Sequence, residues 1–555
     1  SSHHLKNGYT PNPIPIRVYN PQPKVNSTTH HPAVYAAVIF PGRKRTMRPD
    51  LNRFLLCAAL ALGGCVRLGP DFQSPAEPWV DQWNTPNLDH ASQRALQPDI
   101  RQWWEIFADP TLDQLIAEAD ANNSSLKIVG LRVMEARAQL GIAESGRYPQ
   151  LQQISADSVY VHRDQSGGRN PVDSRFWQHS AGFDVGWELD FWGRFSRAIE
   201  ASDASYFAAE ANYDDALVLL RAQVADSYFA LRTTQARLRV AEENARQQQR
   251  NYEITEKLFK SGQTAELDLQ QAKTQYLGTL SSIPVLQDQL GRFRNALAVL
   301  IGQPPGELPL VVENNGLIPL VDRAVLQDVP AQLLLRRPDV RAAELNVAAQ
   351  SALVGVAETD FYPSLSLLGS IVWSTDTLSG SSRSLDLIGG PSLRWNVFDY
   401  GRISNNVRVQ DARLQQLIEA YRDKVRQAAR EADDAANGLI QALQRERILR
   451  EAEGAAKRSL ELANALYREG YSDFQRVLDA QRALLDTQDS YLVSRNDAVS
   501  NVIALYKSLG GGWYSAQAKV DPATRQQMEQ RTDWDNLLSE PQPAASYPNP
   551  VSHHD

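Results

Sequence analysis

The chain carries the same pattern twice. Trp187 matches Trp395, Gly193-Arg194 matches Gly401-Arg402, and Leu258-Phe259-Lys260-x-Gly262 matches Leu466-Tyr467-Arg468-x-Gly470. Ala272 matches Ala480 and Ile301-Gly302 matches Leu509-Gly510, every pair 208 residues apart. Upstream, Gly141-x-Ala143-Glu144-x-x-x-Tyr148-Pro149 matches Gly355-x-Ala357-Glu358-x-x-x-Tyr362-Pro363 at a spacing of 214. Shared spacing over such a stretch means duplication, and duplication binds both halves to one order of elements. The six-residue difference falls between Tyr-Pro and Gly-Arg, which predicts a longer connecting loop in the first half.

Each half reads as a helix ending at Tyr-Pro, two strand-like stretches, a very long helix and a second long helix that returns. Phe183, Val185, Trp187, Leu189 and Phe191 alternate with Asp184, Gly186, Glu188 and Asp190, the period of a half-buried strand. Ser364-Leu365-Ser366-Leu367 and Leu393-Arg394-Trp395-Asn396-Val397 alternate likewise, while Ile154 to Val161 is weaker. Polar loop signals at 165–171 and 378–382 join the members of each hairpin, and Pro391 calls for a bulge or kink in the fourth strand. No proline lies between Pro171 and Pro284 or between Pro391 and Pro522. Residues 402–469 are thus free to form one helix of about 100 Å. Leu414, Ile418, Tyr421, Val425, Ala428, Ala432, Ala435, Leu439 and Ala442 give it a three-four seam, as in a coiled coil.

The 555 residues carry 57 Lys and Arg against 65 Asp and Glu, a net charge of −8 that argues against a nucleic-acid partner. Two cysteines, Cys57 and Cys65, supply no disulfide framework, and no histidine occurs from 180 to 552, so imidazole catalysis or metal ligation is not expected there. Neither a Ser/His/Asp nor a Cys/His constellation is supported, so the protein reads as no enzyme. Residues 1–46 read as a leader or expression remnant. At 47–64 a basic start (Arg48, Arg53) precedes a short apolar run from Phe54 to Leu62, then Gly63-Gly64-Cys65. This resembles a bacterial lipoprotein signal peptide with Cys65 as the lipidated first mature residue, the alternative being an ordinary secretory signal. The implied covalent lipid, diacylglycerol and an acyl chain, anchors through about 0.8 kcal/mol per buried CH₂. Val66 after the cysteine favours the outer membrane.

Four strands are too few to stand alone in hydrocarbon, where open edges are not tolerated and barrels need about eight or more. Four from each of three chains make twelve. Trp177, Trp187, Trp192, Trp373 and Trp395 suit interfacial girdles, or alternatively pack a soluble sheet.

The chain resembles the TolC/OprM family of outer-membrane channels of tripartite efflux pumps, in its lipidated OprM-like branch. The match runs over roughly 65–515 and is carried by Leu68-Gly69-Pro70-Asp71-Phe72-Gln73-x-Pro75, Trp103-Trp104-x-x-Phe107-x-Asp109-Pro110-x-Leu112-Asp113-x-Leu115-Ile116, Arg336-Arg337-Pro338-Asp339-Val340 and Leu478-Asp479-Ala480-Gln481. Ala121-Asn122-Asn123-Ser124-Ser125 departs from the family's Asn-Pro helix start. The resemblance implies an α+β membrane protein: a homotrimer with a 12-stranded transmembrane β-barrel continuous with a long periplasmic α-helical barrel and an equatorial domain. The segments are then 65–110, N-terminal and equatorial; 111–302, the first repeat with its hairpin at about 150–192; 303–335, a linker; 336–510, the second repeat with its hairpin at about 364–399; and 511–555, an equatorial segment and tail.

The implied function is passive export of drugs and toxic solutes across the Gram-negative outer membrane. An RND-type inner-membrane transporter supplies the energy, and a periplasmic membrane-fusion adaptor docks at the helix tips Lys260, Ser261, Gly262, Arg468, Glu469 and Gly470. Asp268 and Asp479 match the family's pore-facing aspartates and would form threefold carboxylate rings that favour cations and bind blocking divalent ions; otherwise they are solvated helix-face acids. Tyr467, Asp473, Gln475 and Arg476 complete the expected periplasmic gate, with Gln475 and Arg476 departing from the family pattern. A type I protein-secretion channel and a non-conducting coiled-coil envelope lipoprotein stay open as alternatives.

Overall fold

In a computed structural model, the described residues are 66–76, 100–165, 172–312, 318–321, 331–377, 383–513, 519–535 and 537–538. Cys65, the signal segment and the hairpin loops 166–171 and 378–382 lie outside them. A 3-10 segment, Ile100–Phe107, leads into α1 (Pro110–Asn122) and α2 (Ser124–Ser145). Then follow β1 (Leu151–Gln165), β2 (Val172–Glu188), α3 (Arg194–Lys260) and α4 (Glu266–Leu300). The second half runs α5 (Pro338–Thr359), β3 (Ser364–Asp376), β4 (Arg383–Arg394), α6 (Arg402–Arg468) and α7 (Phe474–Ser508), and α8 (Pro522–Arg531) follows.

The duplication is reproduced in the helices residue for residue. The long helices α3 and α6 have 67 residues each, α4 and α7 have 35, and α2 and α5 have 22. Positive-φ glycines mark the same joints in each half: Gly193 and Gly401 before the long helices, Gly262 and Gly470 at the tips, Gly302 and Gly510 after the return. A side chain at Gly302 would come within 2.5 Å of the Asn122 carbonyl, so close approach as well as φ demands glycine there. Where the family has Asn-Pro, Asn123 caps α2 by accepting from Leu126 N at 2.9 Å and donates to the Leu300 carbonyl at 2.9 Å.

The strands depart from expectation in three ways. The gap between strands is six residues in both hairpins, so the longer first half is due to longer strands, 15 and 17 residues against 13 and 12. No loop is lengthened. Second, β2 ends at Glu188 and β4 at Arg394, leaving Leu189, Phe191 and Trp395–Val397 beyond the ladder. Leu189 N still donates to the Leu365 carbonyl of β3 at 2.9 Å, but the regular ladder has ended, so alternation in sequence outruns the paired strand. Third, Pro391 pairs with Leu367 in an unbroken register, with no bulge. β4 is an edge of the sheet β1-β2-β3-β4, and a proline is tolerated where its missing N–H would face the open side.

The core runs along the helix seams. Tyr421, Val425, Ala428, Ala432, Ala435, Leu439 and Ala442 of α6 are buried, while Leu414 and Ile418 are partly so. Trp103 stacks on Tyr506 of α7 at 5.7 Å, and Arg221 of α3 lies 5.0 Å above Trp104. Arg337 explains the Arg-Arg-Pro-Asp-Val motif. Its guanidinium donates to Asp339 at 3.0 and 2.9 Å, to Glu431 at 2.9 Å and to the Ser508 carbonyl at 2.9 Å, joining α5, α6 and the end of α7. Burial opposes its charge, but Asp339 and Glu431 outweigh that and push its pKa up.

Among the described residues, Asp214 of α3 is the acid most displaced from its ordinary value. Burial pushes it up to about 7, with Lys519, Arg341 and Arg221 opposing and Glu210 reinforcing. A folded value above the unfolded one means that the folded state holds the proton more tightly. The stability this confers is complete below the ordinary aspartate value and is lost as pH rises through about 7. The neighbouring Asp215, pushed by burial to about 6, acts at lower pH. We therefore expect Asp214→Asn to raise the thermal midpoint at pH 8 and to flatten its rise between pH 8 and 6. Scanning calorimetry at the two pH values checks this; an unchanged slope would count against the assignment.

Candidate functional site: a two-faced sheet and paired helix tips

Directly paired residues of an antiparallel ladder share a face, so the register sorts every strand side chain. One face carries Ile154 and Tyr160 of β1, Trp177, Phe183, Val185 and Trp187 of β2, Leu365, Leu367, Ile371 and Trp373 of β3, and Leu385, Leu387 and Leu393 of β4. The other carries Ser155, Asp157, Gln178, Ser180, Asp184, Ser366, Ser370, Ser374, Ser384, Asp386 and Ser392, interrupted by aliphatics such as Leu368 and Ile388. On the second face Ser370 Oγ donates to Asp184 at 2.7 Å, and the hydroxyls of Ser374 and Ser384 lie 2.7 Å apart.

The apolar face is bare within one chain. Ile154 is 81% exposed and Leu387 70%. Such a patch is untenable in water, and β1 and β4 are unpaired edges within the chain. No described helix is long and apolar enough to cross a membrane. The exposed apolar face is itself suited to lipid.

Where the polar face meets the helices, a cavity of about 340 Å³ is lined by Glu188, Asp190, Arg194, Asp360, Arg394 and Arg402, among others. Arg194 reaches Asp360 at 3.5 Å, and Asp190 caps α3 by accepting from Phe195 N and Ser196 N at 3.0 and 2.9 Å. On the same junction the segment 66–71 is clamped. Arg197, 2% exposed, donates to the Leu68 carbonyl at 2.9 Å, the Gly69 carbonyl at 3.1 Å and Asp71 at 2.7 Å. Leu68 N donates to the Trp192 carbonyl, and a side chain at Gly69 would strike Gly355. Sequence reading missed Arg197; the only signal was an arginine four residues into a long helix.

At the opposite ends of the long helices the two tips are built alike. Gln263 N bonds the Leu258 carbonyl and Tyr471 N the Leu466 carbonyl, both at 2.9 Å, closing each helix over its glycine. Lys260 pairs with Glu256 at 3.2 Å, the Ser261 hydroxyl donates to the Leu258 carbonyl, Arg468 donates to the Asn464 carbonyl, and Glu469 caps its helix. A separate apolar cluster of Ala272, Leu460, Phe474, Val477, Leu478 and Leu484 holds the hairpins together.

The expected gate residues fall into two groups of contacts around the tips. Asp268, in the first turn of α4, accepts from the Thr264 hydroxyl at 2.5 Å. Tyr467 packs on Phe474 at 5.2 Å, and burial, then the Asp268 charge, push its phenol above its ordinary pKa. Asp473 caps α7, accepting from Arg476 N, and Arg476 Nε lies 3.9 Å from Asp473. Gln475 donates to Asp479 at 3.0 Å, and Arg482 approaches Asp479 at 3.5 Å while donating to Gln275 of α4. Asp268 and Tyr467 are thus neighbours, whereas Asp479 is exposed among residues of its own helix, Gln475 and Arg482. Arg482 and Gln275, which tie α7 to α4, were missed because nothing local marks them. Among the described residues no group of His, Cys, Asp and Glu is gathered as for a metal ion.

A sheet with one lipid-compatible face, one hydrophilic face and two open edges defines a subunit of a channel that is completed by association. The chain belongs to the outer membrane efflux protein family, whose model matches residues 115–303 and 329–511. It is 34% identical to the cation efflux system protein CusC of Escherichia coli (strain CFT073) over 472 residues, 82% of this chain and 98% of CusC. It is 31% identical to the "probable outer membrane lipoprotein SilC" of Salmonella typhimurium, covering 81% of this chain and 96% of SilC. The solved structure of the outer-membrane channel OprN superposes with a TM-score of 0.73 at 31% identity, over 80% of this chain and 99% of that one. The protein is thus an outer-membrane efflux channel with its helices in the periplasm.

Proposed function

We propose that three copies close their sheets into one 12-stranded barrel and that the complex is the passive exit duct of a tripartite, RND-type efflux pump. The two-faced sheet with open edges carries this reading: four strands cannot enclose a lumen, and closure pairs β4 of one copy with β1 of the next. Drugs and toxic solutes pass through, with an inner-membrane transporter supplying energy and a periplasmic adaptor engaging the Gly262 and Gly470 tips. Metal cations are a second reading, favoured by the likeness to CusC. Lipidation at Cys65 adds an anchor beside the barrel, because the clamp on residues 66–71 lies at the sheet–helix junction. Asp268 and Asp479 form threefold carboxylate rings at the closed periplasmic end.

Planar-bilayer conductance with a measured oligomer mass tests the duct; a non-conducting monomer ends the reading and restores the coiled-coil envelope lipoprotein. Asp268→Asn and Asp479→Asn are each expected to lower cation preference and sensitivity to divalent ions. Unchanged selectivity in both would remove the carboxylate rings from the pore. Protein-secretion activity with a type I exporter is the result that would redirect the function.

A further inference from the structure

We propose that copies of this chain join as its own two repeats join. The edges β4 and α6 of one copy then meet β1 and α4 of a partner subunit in a register dictated by the duplication, with Asp434 bonded to the partner's Arg292. This rests on the barrel reading above and goes beyond it by fixing which residues meet. Three chains hold six repeats and six joints, three inside chains and three between them. Repeats of one shape close a ring when every joint turns it alike, so the joint inside the chain is the template for the joint between chains.

In the sheet the inner joint is β2 against β3, where Asp184 lies opposite Ser370 and accepts from its hydroxyl at 2.7 Å. Leu151 lies opposite Gly186 in the first hairpin and Ser364 opposite Arg394 in the second. Gly186 matches Arg394 at the 208 spacing, so Leu151 matches Ser364 at 213, and Gln150 is one extra residue before β1. The counterpart of the Asp184–Ser370 pair is then Ser392 against the partner's Asp157, with hydroxyl and carboxylate exchanged between strands. Neither has a side-chain hydrogen bond among the described residues. The 214 spacing of the flanking motifs would slip the strands by one and set apolar against hydrophilic faces, whereas 213 continues both faces around the barrel. It also sets the partner's Tyr160 against Gly389, whose missing side chain helps to leave an apolar hollow of about 320 Å³.

In the helices the inner joint is α3 against α7. Ser500 donates to Asp226 at 2.9 Å, Thr233 to Asn496 at 3.1 Å, Arg237 to Asp489 at 2.6 and 3.0 Å, and Asn244 to Gln488 at 3.3 Å. Both helix pairs match at 208 without a gap, so each bond has a counterpart between α6 and the partner's α4. The counterparts are Asp434 with the partner's Arg292, Gln441 with the partner's Asp288, Arg445 with the partner's Ser281 and Ala452 with the partner's Leu280. Although the residue types have changed, every pair is complementary: an ion pair, an amide on a carboxylate, a guanidinium on a hydroxyl, and two apolar side chains. All eight positions are exposed in the single chain, whereas Thr233 and Asn244 of the inner joint are buried. Asp434 has no hydrogen bond or ion pair among the described residues, and Arg292 reaches only Asp288 of its own helix, at 2.8 Å. At the level where the tethered repeats use Ser500, the free partner brings an arginine. Charge complementarity there selects a second copy of this chain.

The full chain carrying Asp157→Cys with Ser392→Cys is oxidised in outer-membrane fractions. Beside it run Asp157→Cys with Gly390→Cys, two residues out of register on the same face, and the wild type as the control for Cys65. A side chain fits at Gly390, where a Cβ meets nothing within 4 Å. The first pair is expected to give a covalent trimer and the second none, because opposed Cβ atoms lie about 4.5–5.5 Å apart and diagonal ones about 7–8 Å. Independently, Asp434→Arg speeds dissociation of the trimer on heating in mild detergent by about fivefold per joint, and adding Arg292→Asp restores it. This swap tests the joint even where a cysteine variant fails to insert. A conducting wild-type trimer whose variants link through the Gly390 pair as readily, or through neither pair, overturns the register alone. So does a reversal at Asp434 that changes nothing, or one that the swap does not restore. A wild type that is a non-conducting monomer overturns the barrel reading and the joint together.

Discussion

Ile371→Arg removes the protein from the membrane, whereas Ser370→Arg, one residue away, leaves it assembled. Ile371 shares its face with Ile154, Phe183 and Leu387 near the middle of the apolar band, and an arginine at that depth costs about 2–4 kcal/mol in each chain. Three copies in one barrel multiply the penalty, so the membrane-inserted oligomer is expected to fall below detection. Ser370 faces Asp184 on the hydrophilic side, where an arginine finds water and a carboxylate. It is expected to change conductance while oligomer mass is retained. Native mass measurement on detergent extracts of the outer-membrane fraction reads both variants. Equal loss, or equal tolerance, contradicts the assignment of faces.

Arg337→Ala is the second large effect. It strips Asp339 of its bidentate partner, leaving Lys424 at 3.2 Å, and orphans the buried Ser508 carbonyl. Breaking a buried pair by removing one member costs about 3–5 kcal/mol, because the remaining charge stays desolvated. The adjacent Arg336→Ala, at an exposed side chain, is expected to change little. Denaturant unfolding of the two variants side by side checks this. If Arg336→Ala proves as costly, the three-helix clamp is not what holds the motif in place.

What the sequence determined by itself is everything that repeats locally. The helix lengths, the tip glycines Gly262 and Gly470 and the apolar seam of α6 follow from a period, an absence of proline and a duplication. The tips were legible for the same reason, since the cap over Gly262 or Gly470 is made by its own helix. Tertiary structure alone decided the rest, because the interactions join residues far apart in the chain. Strand ends depended on how far the ladder with the neighbouring strand stays regular, so Leu189, Phe191 and Trp395 fell outside despite their alternation. Within the chain Pro391 leaves the β3–β4 register unbroken, because β4 has a partner on one side only. The Arg197 clamp, the Arg482–Gln275 tie and the nearness of Asp268 to Tyr467 span intervals of 126 to 207 residues, over which no periodicity carries information. A strand's side chains alternate whatever lies beside it, but which side meets lipid is settled only when four strands are in register.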